Sequence, residues 1–209
     1  MLTWTDVERD TITELLNLGM GKAAKALSEL LHEEILLSIP QVEFVSRLDA
    51  TKFMEKLAPK ELVSVRQEFA GPFGGSAILL FSGDDSLELV RALLSGDIIL
   101  EDLPDLEQEA VSEVGNIVLN ACLSSLADAL GQEIPTDLPI FHKGPPRSLL
   151  EQEVESDSTD NEMFLLSNIK FELKSLEIVG YLALFLCLAS ARTLKHELSE
   201  LYNSFQVVE

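Results

Sequence analysis

An internal repeat limits the architectures open to this 209-residue chain, because its second half matches the first at a shift of 99 residues. Only six asparagines occur in the whole chain, so a match of Asn together with Glu and Pro at one spacing is hard to attribute to chance. We interpret the match as a duplication that produces two related sites. The aligned identities are Glu14 with Glu113, Asn17 with Asn116, Leu27 with Leu126, and Pro40 with Pro139.

The predicted secondary structure follows the same repeat. A 3.6-residue apolar stripe predicts a long amphipathic helix from Thr5 to about Leu31, opened by Thr5 and Glu8 as a capping box. A second long helix is predicted from Pro104 to about Leu130. Similar elements follow each helix, which predicts one domain over 1–209 with pseudo-symmetric halves of about 1–99 and 100–209. These elements are a strand over 35–45, a helix over 51–60, a hairpin over 62–70 and 76–81 and a helix over 84–94, then a strand near 139, a hairpin over 163–173 and 176–188 and a helix over 190–203.

Acidic residues dominate the charge, with 36 Asp and Glu against 15 Lys and Arg and a net charge of −21. A protein that binds nucleic acid neutralises phosphates with a basic surface, so this class is excluded. An anionic membrane is disfavoured for the same reason, and no stretch reaches the roughly 18 uncharged apolar residues of a spanning helix. The N-terminus has no basic stretch followed by an apolar one, so no secretory signal is visible and a cytoplasmic protein is expected.

The apolar content is nevertheless sufficient for a folded core, since 46% of the residues are hydrophobic. Cys122 and Cys187 lie in apolar stretches with no CxxC motif and no His at ligand spacing, which predicts buried free thiols rather than a zinc site. The run 151–162 contains six acids and no base, and is predicted to be a solvated loop.

The repeated Glu and Asn lie three residues apart, so each pair projects from one side of its long helix. A polar pair on an outer helix face is ordinarily only solvated surface. Two observations favour a function instead: Asn is about half a kcal/mol or more worse than Ala inside a helix, and the pair recurs at the same register. We therefore predict Glu14 with Asn17, and Glu113 with Asn116, as two candidate sites.

A carboxamide is suited to holding a water molecule, because it keeps a donor and an acceptor at any ordinary pH. It is too weak a base to deprotonate that water, but phosphoryl transfer to water needs mainly positioning and charge compensation. The adjacent carboxylate can dock a cation. The only nearby bases are Lys22 and Lys25 in the first half, with none in the second, so the positive charge that a phosphate requires has to come from a partner.

These residues carry a family resemblance. The pattern Asp10-x3-Glu14-x2-Asn17-x22-Pro40, followed by Glu113-x2-Asn116-x22-Pro139, resembles the signature of the CheC family of chemotaxis phosphatases, which includes CheX and FliY. Segment 113–130 resembles the second motif of that family, and the resemblance spans nearly the whole chain. Glu109 stands where the signature has Asp or Ser, and Leu15-Leu16 stand where the second motif has Val-Gly. The resemblance implies an α+β fold in which two pseudo-symmetric halves place two long helices on a mixed or antiparallel β-sheet.

The resemblance also implies an activity, the hydrolysis of the phospho-aspartate of a CheY-like receiver in chemotaxis or related two-component signalling. Asn17 and Asn116 would position the attacking water in line with the acyl phosphate, and Glu14 and Glu113 would pair with the receiver's lysine. The chain would have no cofactor or metal of its own, since the receiver brings Mg²⁺. Both sites are expected to work, so that Ala at both asparagines abolishes activity. The motif-supporting residues would be Asp10, Pro40, Glu109 and Pro139.

The implied partner is a phosphorylated CheY-like response regulator, and the resemblance allows the deamidase CheD as a second partner. One monomer already carries two sites, so a monomer and a homodimer both fit. Two other interpretations stay open. The chain could be a non-catalytic receiver-binding adaptor or switch component that uses the same helix faces, or a structural protein with no receiver partner.

Overall fold

A computed structural model describes residues 2–32, 34–58, 60–93, 103–151, 162–173 and 176–206. Over these ranges the chain forms a seven-stranded antiparallel sheet and six α-helices, which confirms the α+β prediction. The described elements of the first half are α1 Asp6–Leu31, β1 Ile35–Ser38, β2 Glu43–Ser46, α2 Arg47–Leu57, β3 Leu62–Phe69, β4 Gly75–Ser82 and α3 Gly83–Leu93. Those of the second half are α4 Leu103–Leu130, β5 Ile140–Gly144, α5 Pro146–Glu151, β6 Glu162–Leu173, β7 Leu176–Cys187 and α6 Leu188–Gln206.

The pseudo-symmetry is visible in the order of the elements, because long helix, edge strand, short helix, hairpin and helix occur in that order twice. The long helices, both hairpins and the helices that end each half lie within a few residues of their predicted bounds. The predicted capping box is also present: Glu8 N–H donates to Thr5 Oγ1 at 3.3 Å, and Thr5 N–H donates to Glu8 Oε2 at 2.8 Å.

Three local features differ from the prediction. The strand predicted over 35–45 is split into β1 and β2 around Pro40, which has no N–H to continue a ladder. Helix α2 begins at Arg47 rather than at 51, because Ser46 Oγ caps it by accepting from Asp49 N–H at 3.2 Å. Helix α5 was not predicted. The predicted acidic loop falls largely on 152–161, outside the described residues.

The two cysteines differ in their surroundings. Cys122 is buried as predicted, but the prediction that Cys187 is buried is wrong, because this thiol is exposed. Cys187 is the last residue of β7 and precedes α6, where Ser190 N–H donates to its Sγ at 3.4 Å. An apolar stretch does not decide burial at such a strand end, because successive side chains of a strand point to opposite faces.

The two halves share one sheet. Its strand order is β1, β6, β7, β4, β3, β5, and β2 also pairs with β6. Strands β1 and β2 of the first half therefore extend the second hairpin, while β5 of the second half pairs with β3 of the first. The pair β4 and β7 joins the hairpins at the centre, with Leu79 opposite Leu182. This exchange of edge strands places a loop that follows β1, and the chain that precedes β5, at opposite edges of the sheet.

Helices cover both faces of the sheet. The larger core cluster buries apolar side chains of α1, α3, α4 and α6 against one face, and a smaller one lies under α2 and α5 on the other. The two long helices contact each other closely at Gly19, where a Cβ would lie 2.7 Å from the Cα of Cys122. Gly115 brings α4 onto β3 in the same way, because a Cβ there would lie 2.5 Å from the Cβ of Val65.

Of the described helices, α4 alone is long and apolar enough to cross a membrane by length and composition, because one 18-residue stretch within Leu106–Leu130 has a mean hydropathy of 1.3. Half of that stretch is buried inside the fold, where α4 packs on α1 and β3. Core helices pass the same test, so this finding is weak support for a membrane span.

Candidate functional site

The Glu–Asn pairs lie on α1 and α4, the two long helices that cover one sheet face. Glu14 and Glu113 are exposed, and neither carboxylate has a hydrogen-bond or ion-pair partner within the part of the chain that the structure describes. Asn17 and Asn116 are half-buried one turn further along. The structure therefore brings each predicted Glu next to its Asn, but the two asparagines have different partners.

Asn17 is bound to the backbone that follows β1. Its Nδ2 donates to the carbonyl oxygen of Ile39 at 2.8 Å, and its Oδ1 accepts from the N–H of Ile39 at 2.9 Å. Ile39 is 2% exposed and precedes Pro40, which explains the 22-residue spacing between the Asn and the Pro of the motif. In the first half the carboxamide thus holds the break between β1 and β2 against α1.

Asn116 makes no such backbone contact. Its Oδ1 accepts from Asn120 Nδ2 at 2.7 Å, and its own Nδ2 has no acceptor among the described residues. Asn120 Oδ1 accepts in turn from Gln67 Nε2 of β3 at 2.9 Å. The same Gln67 nitrogen donates to the carbonyl oxygen of Asp137 at 3.0 Å. A chain of side-chain amides therefore links Asn116 to the backbone before Pro139.

A cleft lies beside each pair, between a long helix and the segment around its motif Pro. The second cleft has a volume of about 660 Å³ and is lined by Leu106, Glu109, Ala110, Ser112, Glu113, Asn116, Leu138 and Pro139. The first has a volume of about 400 Å³ and is lined by Asp6, Arg9, Asp10, Thr13, Pro40, Gln41, Val42, Glu43, Phe44 and Val45. Asp10, Pro40, Glu109 and Pro139 therefore line clefts, but only the second cleft has its own Glu–Asn pair in its wall.

The clefts also differ in charge. The described residues that line the second cleft include two carboxylates and no Lys or Arg. The first cleft contains Arg9, whose guanidinium lies 5.7 Å from the ring centre of Phe44. The prediction that Lys22 and Lys25 are the only nearby bases is wrong, because Arg9 of α1 lines the first cleft, and Lys22 pairs with Asp128 of α4 at 2.9 Å.

The duplication includes a second, buried pair of acids that sequence analysis missed. Glu8 and Glu107 are related by the same 99-residue shift and are 7% and 1% exposed. Both carboxylate oxygens of Glu8 accept from Lys195 Nζ of α6, at 2.7 and 2.5 Å. Glu107 accepts from Lys143 Nζ of β5 at 2.6 Å and from Ser86 Oγ of α3 at 2.5 Å. Each acid thereby fixes the first turns of a motif helix to its neighbours.

Each of these ion pairs shifts the pKa of one of its members, Glu8 or Lys143. Burial raises the pKa of Glu8, but hydrogen bonds from Lys195, Thr5 and Ser199 outweigh it and hold the pKa below its ordinary 4.5. Burial lowers the pKa of Lys143, but Glu107 and Glu61 raise it above the ordinary 10.5. Both groups are therefore charged at neutral pH. Within the described residues, no cluster of His, Cys, Asp or Glu could hold a metal ion.

No family model matches the chain, but curated relatives do. It is 26% identical over 179 residues to the flagellar motor switch phosphatase FliY of Bacillus subtilis strain 168, and 25% over 135 residues to the CheY-P phosphatase CheC of that strain. It is 28% identical over 142 residues to CheC1 of Halobacterium salinarum. The alignments cover 84%, 63% and 66% of this chain, but only 44% of FliY and 64% of CheC, against 71% of CheC1.

Solved structures share the fold. The X-ray structure of Thermotoga maritima FliY has a TM-score of 0.74 at 21% identity, covering 95% of this chain and 99% of that one. A chain of the FliG–FliM complex from H. pylori has a TM-score of 0.64 at 10% identity, covering 92% and 100%. The fold is that of flagellar switch and chemotaxis proteins. The sequence similarity to FliY, CheC and CheC1 agrees with the resemblance of the repeated motif to the CheC/CheX/FliY family.

Proposed function

We propose that the chain is a phosphatase that hydrolyses the phospho-aspartate of a CheY-like receiver. Its relatives FliY and CheC are named as phosphatases, and CheC as a CheY-P phosphatase. The water oxygen bonds to phosphorus while the bond between phosphorus and the aspartate oxygen breaks. The electron pair of that bond stays on the aspartate as a carboxylate, and the protons of the water leave with inorganic phosphate.

The observation that carries this proposal is the free polar pair in the second cleft. Glu113 is exposed and unpaired among the described residues, and Asn116 keeps an unpartnered Nδ2 beside it, both on one rigid helix. In the proposal Asn116 holds the water in line with the phosphorus, and Glu113 pairs with the receiver's lysine. A carboxamide cannot act as a base, but a loose phosphoryl-transfer transition state asks chiefly for positioning.

The charge of the second cleft supports a partner that brings its own cations. Two carboxylates without a base among the described lining residues would repel an isolated phosphate ion, whereas they would attract a receiver's lysine. In the proposal the Mg²⁺ that neutralises the phosphoryl oxygens is also bound by the receiver. The chain then needs no cofactor of its own, and a net charge of −21 is compatible with the activity.

We assign unequal shares to the two sites. Asn17 already uses one N–H and one lone pair of its carboxamide on Ile39, so while that backbone stays bound it can offer a water only its second N–H and its second lone pair. Asn116 keeps both N–H groups of its Nδ2 for a water, because this nitrogen has no acceptor among the described residues. The second site therefore carries most of the hydrolysis in this proposal, and Glu14 with Asn17 contributes a smaller part.

The test follows phosphate release from a CheY-like receiver that has been charged with acetyl phosphate in the presence of Mg²⁺. We expect the chain to accelerate the release, Asn116→Ala to lower the rate roughly 100-fold, and Asn17→Ala to lower it much less. Ala at both positions should abolish the acceleration while the circular dichroism spectrum is unchanged. An undiminished rate in the folded double variant would refute the proposed roles of the asparagines.

A non-catalytic adaptor or switch component is the second candidate, because the FliM middle domain from H. pylori and a chain of a FliG–FliM complex share the fold. The same experiment separates the two functions, since an adaptor binds the charged receiver without accelerating phosphate release. CheD binding, a cytoplasmic location and a monomeric or homodimeric state stay proposals that follow from the family.

A further inference from the structure

We infer that Gln67 and Asn120 are positioning residues that set the direction of the Asn116 carboxamide, an inference that rests on the proposed phosphatase function. The Asn116 amide has two ends of similar shape, and only one of them can face the cleft as a donor. The hydrogen bonds behind it decide which end that is.

The direction is fixed by a backbone carbonyl. The oxygen of Asp137 can only accept, so Gln67 presents its Nε2 to it, at 3.0 Å. That nitrogen also donates to Asn120, which must turn its Oδ1 towards Gln67. The Nδ2 of Asn120 then points the other way and donates to Oδ1 of Asn116. The side-chain amides of Gln67, Asn120 and Asn116 can therefore each adopt only one of their two orientations.

The consequence for Asn116 is a free donor beside the cleft. With Oδ1 held by Asn120, the group without a partner among the described residues is Nδ2, which carries two hydrogens. A water that accepts a hydrogen bond from Nδ2 through one lone pair keeps the other lone pair for phosphorus. We call the hydrogen bonds through Gln67 and Asn120 the relay. The relay prevents the carboxamide of Asn116 from rotating away during catalysis, and positioning depends on such preorganisation.

Gln67 has an energetic cost that a purely structural residue would not carry. It is 2% exposed, and its Oε1 has no hydrogen-bond partner among the described residues. A buried polar atom without a partner is destabilising, and an apolar side chain of the same shape would avoid that cost. Retaining an amide here is explained by the two bonds that its nitrogen makes, one to the backbone and one towards the site.

The geometry of α4 makes the relay possible, and the first half has different residues at the equivalent positions. Gly115 lets α4 approach β3 at Val65, and Gln67 lies two residues further along the same strand face. In the first half Gly21 stands at the position of Asn120, and Leu16 at that of Gly115. The relay is therefore specific to the site whose Asn keeps both N–H groups of its Nδ2 without an acceptor among the described residues.

The first experiment measures steady-state phosphate release for Gln67→Met and Asn120→Asp against the unaltered chain. Met fills the space of Gln67 without its hydrogen bonds, and the carboxylate introduced by Asn120→Asp would still accept from Gln67 but could not donate to Asn116. We expect kcat to fall about 10- to 100-fold in both variants, while KM for the charged receiver stays within about twofold. The melting temperature of Gln67→Met should be unchanged or higher. Ser64→Ala is the matched control, because Ser64 Oγ is another buried atom on β3 without a partner among the described residues, and it lies outside the relay.

The second measurement does not depend on activity. The side-chain amide resonances of Asn116, identified by their loss in Asn116→Ala, should shift in Asn120→Asp and in Gln67→Met but not in Ser64→Ala. If the unaltered chain does not accelerate phosphate release, the proposed function fails. If it does, and either relay variant retains kcat or the Asn116 resonances do not move, the positioning inference is refuted. A fall in kcat of the same size in Ser64→Ala would refute it as well.

Discussion

Replacing Asn17 by Ala should destabilise the fold, whereas the same change at the equivalent Asn116 should not. Asn17 makes two hydrogen bonds, of 2.8 and 2.9 Å, to the backbone of Ile39, which is 2% exposed. Asn116 accepts one bond, from the exposed Asn120. Both positions lie inside long helices and carry the same residue, so each serves as the control for the other.

The size of the difference follows from these contacts. A buried hydrogen bond contributes about 1 kcal/mol, so loss of both bonds to Ile39 costs about 2 kcal/mol, and more if the freed groups stay dry. The single bond of Asn116 can be replaced by water at about 0.5 kcal/mol or less. The gain in helix propensity from Asn to Ala is equal at both positions and cancels. We expect Asn17→Ala to be less stable than Asn116→Ala by about 1.5 to 2.5 kcal/mol.

Thermal melting followed by circular dichroism measures this difference. For a chain of this length, 1 kcal/mol corresponds to a shift of about 2–4 °C, so the melting temperature of Asn17→Ala should lie about 3–10 °C below that of Asn116→Ala. Urea unfolding gives the free energies themselves. Equal melting temperatures, or a lower one for Asn116→Ala, would refute the conclusion that Asn17 is committed to the backbone and Asn116 is not.

Three further predictions concern the framework around the sites. Gly115→Ala should lower the free energy of unfolding in urea by about 1–3 kcal/mol, because the added Cβ would lie 2.5 Å from the Cβ of Val65. Gly21→Ala should instead raise it by about 0.5–1 kcal/mol, because nothing lies within 4 Å of the added Cβ. Glu8→Gln should cost about 1–3 kcal/mol at pH 7. Folding lowers the pKa of Glu8, so this stabilisation is present above its ordinary 4.5 and is lost as the pH falls below that value. The melting temperatures of the unaltered chain and of Glu8→Gln should therefore converge in acid. A difference that persists at pH 2 would contradict a stabilising ion pair between Glu8 and Lys195. Iodoacetamide should modify Cys187 long before Cys122, because Cys187 is exposed and its hydrogen bonds with Ser190 lower its pKa, whereas burial raises the pKa of Cys122 to about 12. Equal labelling rates by mass spectrometry would be inconsistent with the fold.

The repeat and the hydrophobic periodicity were enough to predict most of the fold. Both long helices, both hairpins and the capping box at Thr5 lie where the sequence places them, because each is encoded by residues close together in the chain. The exchange of β1, β2 and β5 between halves was not predictable in this way. Pairing of these edge strands joins residues far apart in the chain, such as Ile35 with Leu173, and no local pattern specifies it.

The candidate sites were predictable only in part for the same reason. Glu14, Asn17, Glu113 and Asn116 could be found because their spacing lies within one helix and repeats in the next. Gln67 belongs to a strand of the other half, about fifty residues before Asn116, so its contact with Asn120 exists only after folding. Glu8 and Glu107 are a different case, since the 99-residue shift aligns them and would have identified a repeated acid.

The two halves share the Glu–Asn pair but differ in the hydrogen bonds that hold its Asn. On α1 the carboxamide of Asn17 is close enough to the chain after β1 to bind Ile39, and that contact holds the edge of the sheet. On α4 the corresponding backbone is reached through Gln67 and Asn120 instead, so Asn116 is supported without using its Nδ2. Because a water-positioning amide must be both fixed and partly unpaired, identical motif residues do not imply equal sites. The discriminating signal lies at the positions of Gly21 and Asn120, outside the signature itself.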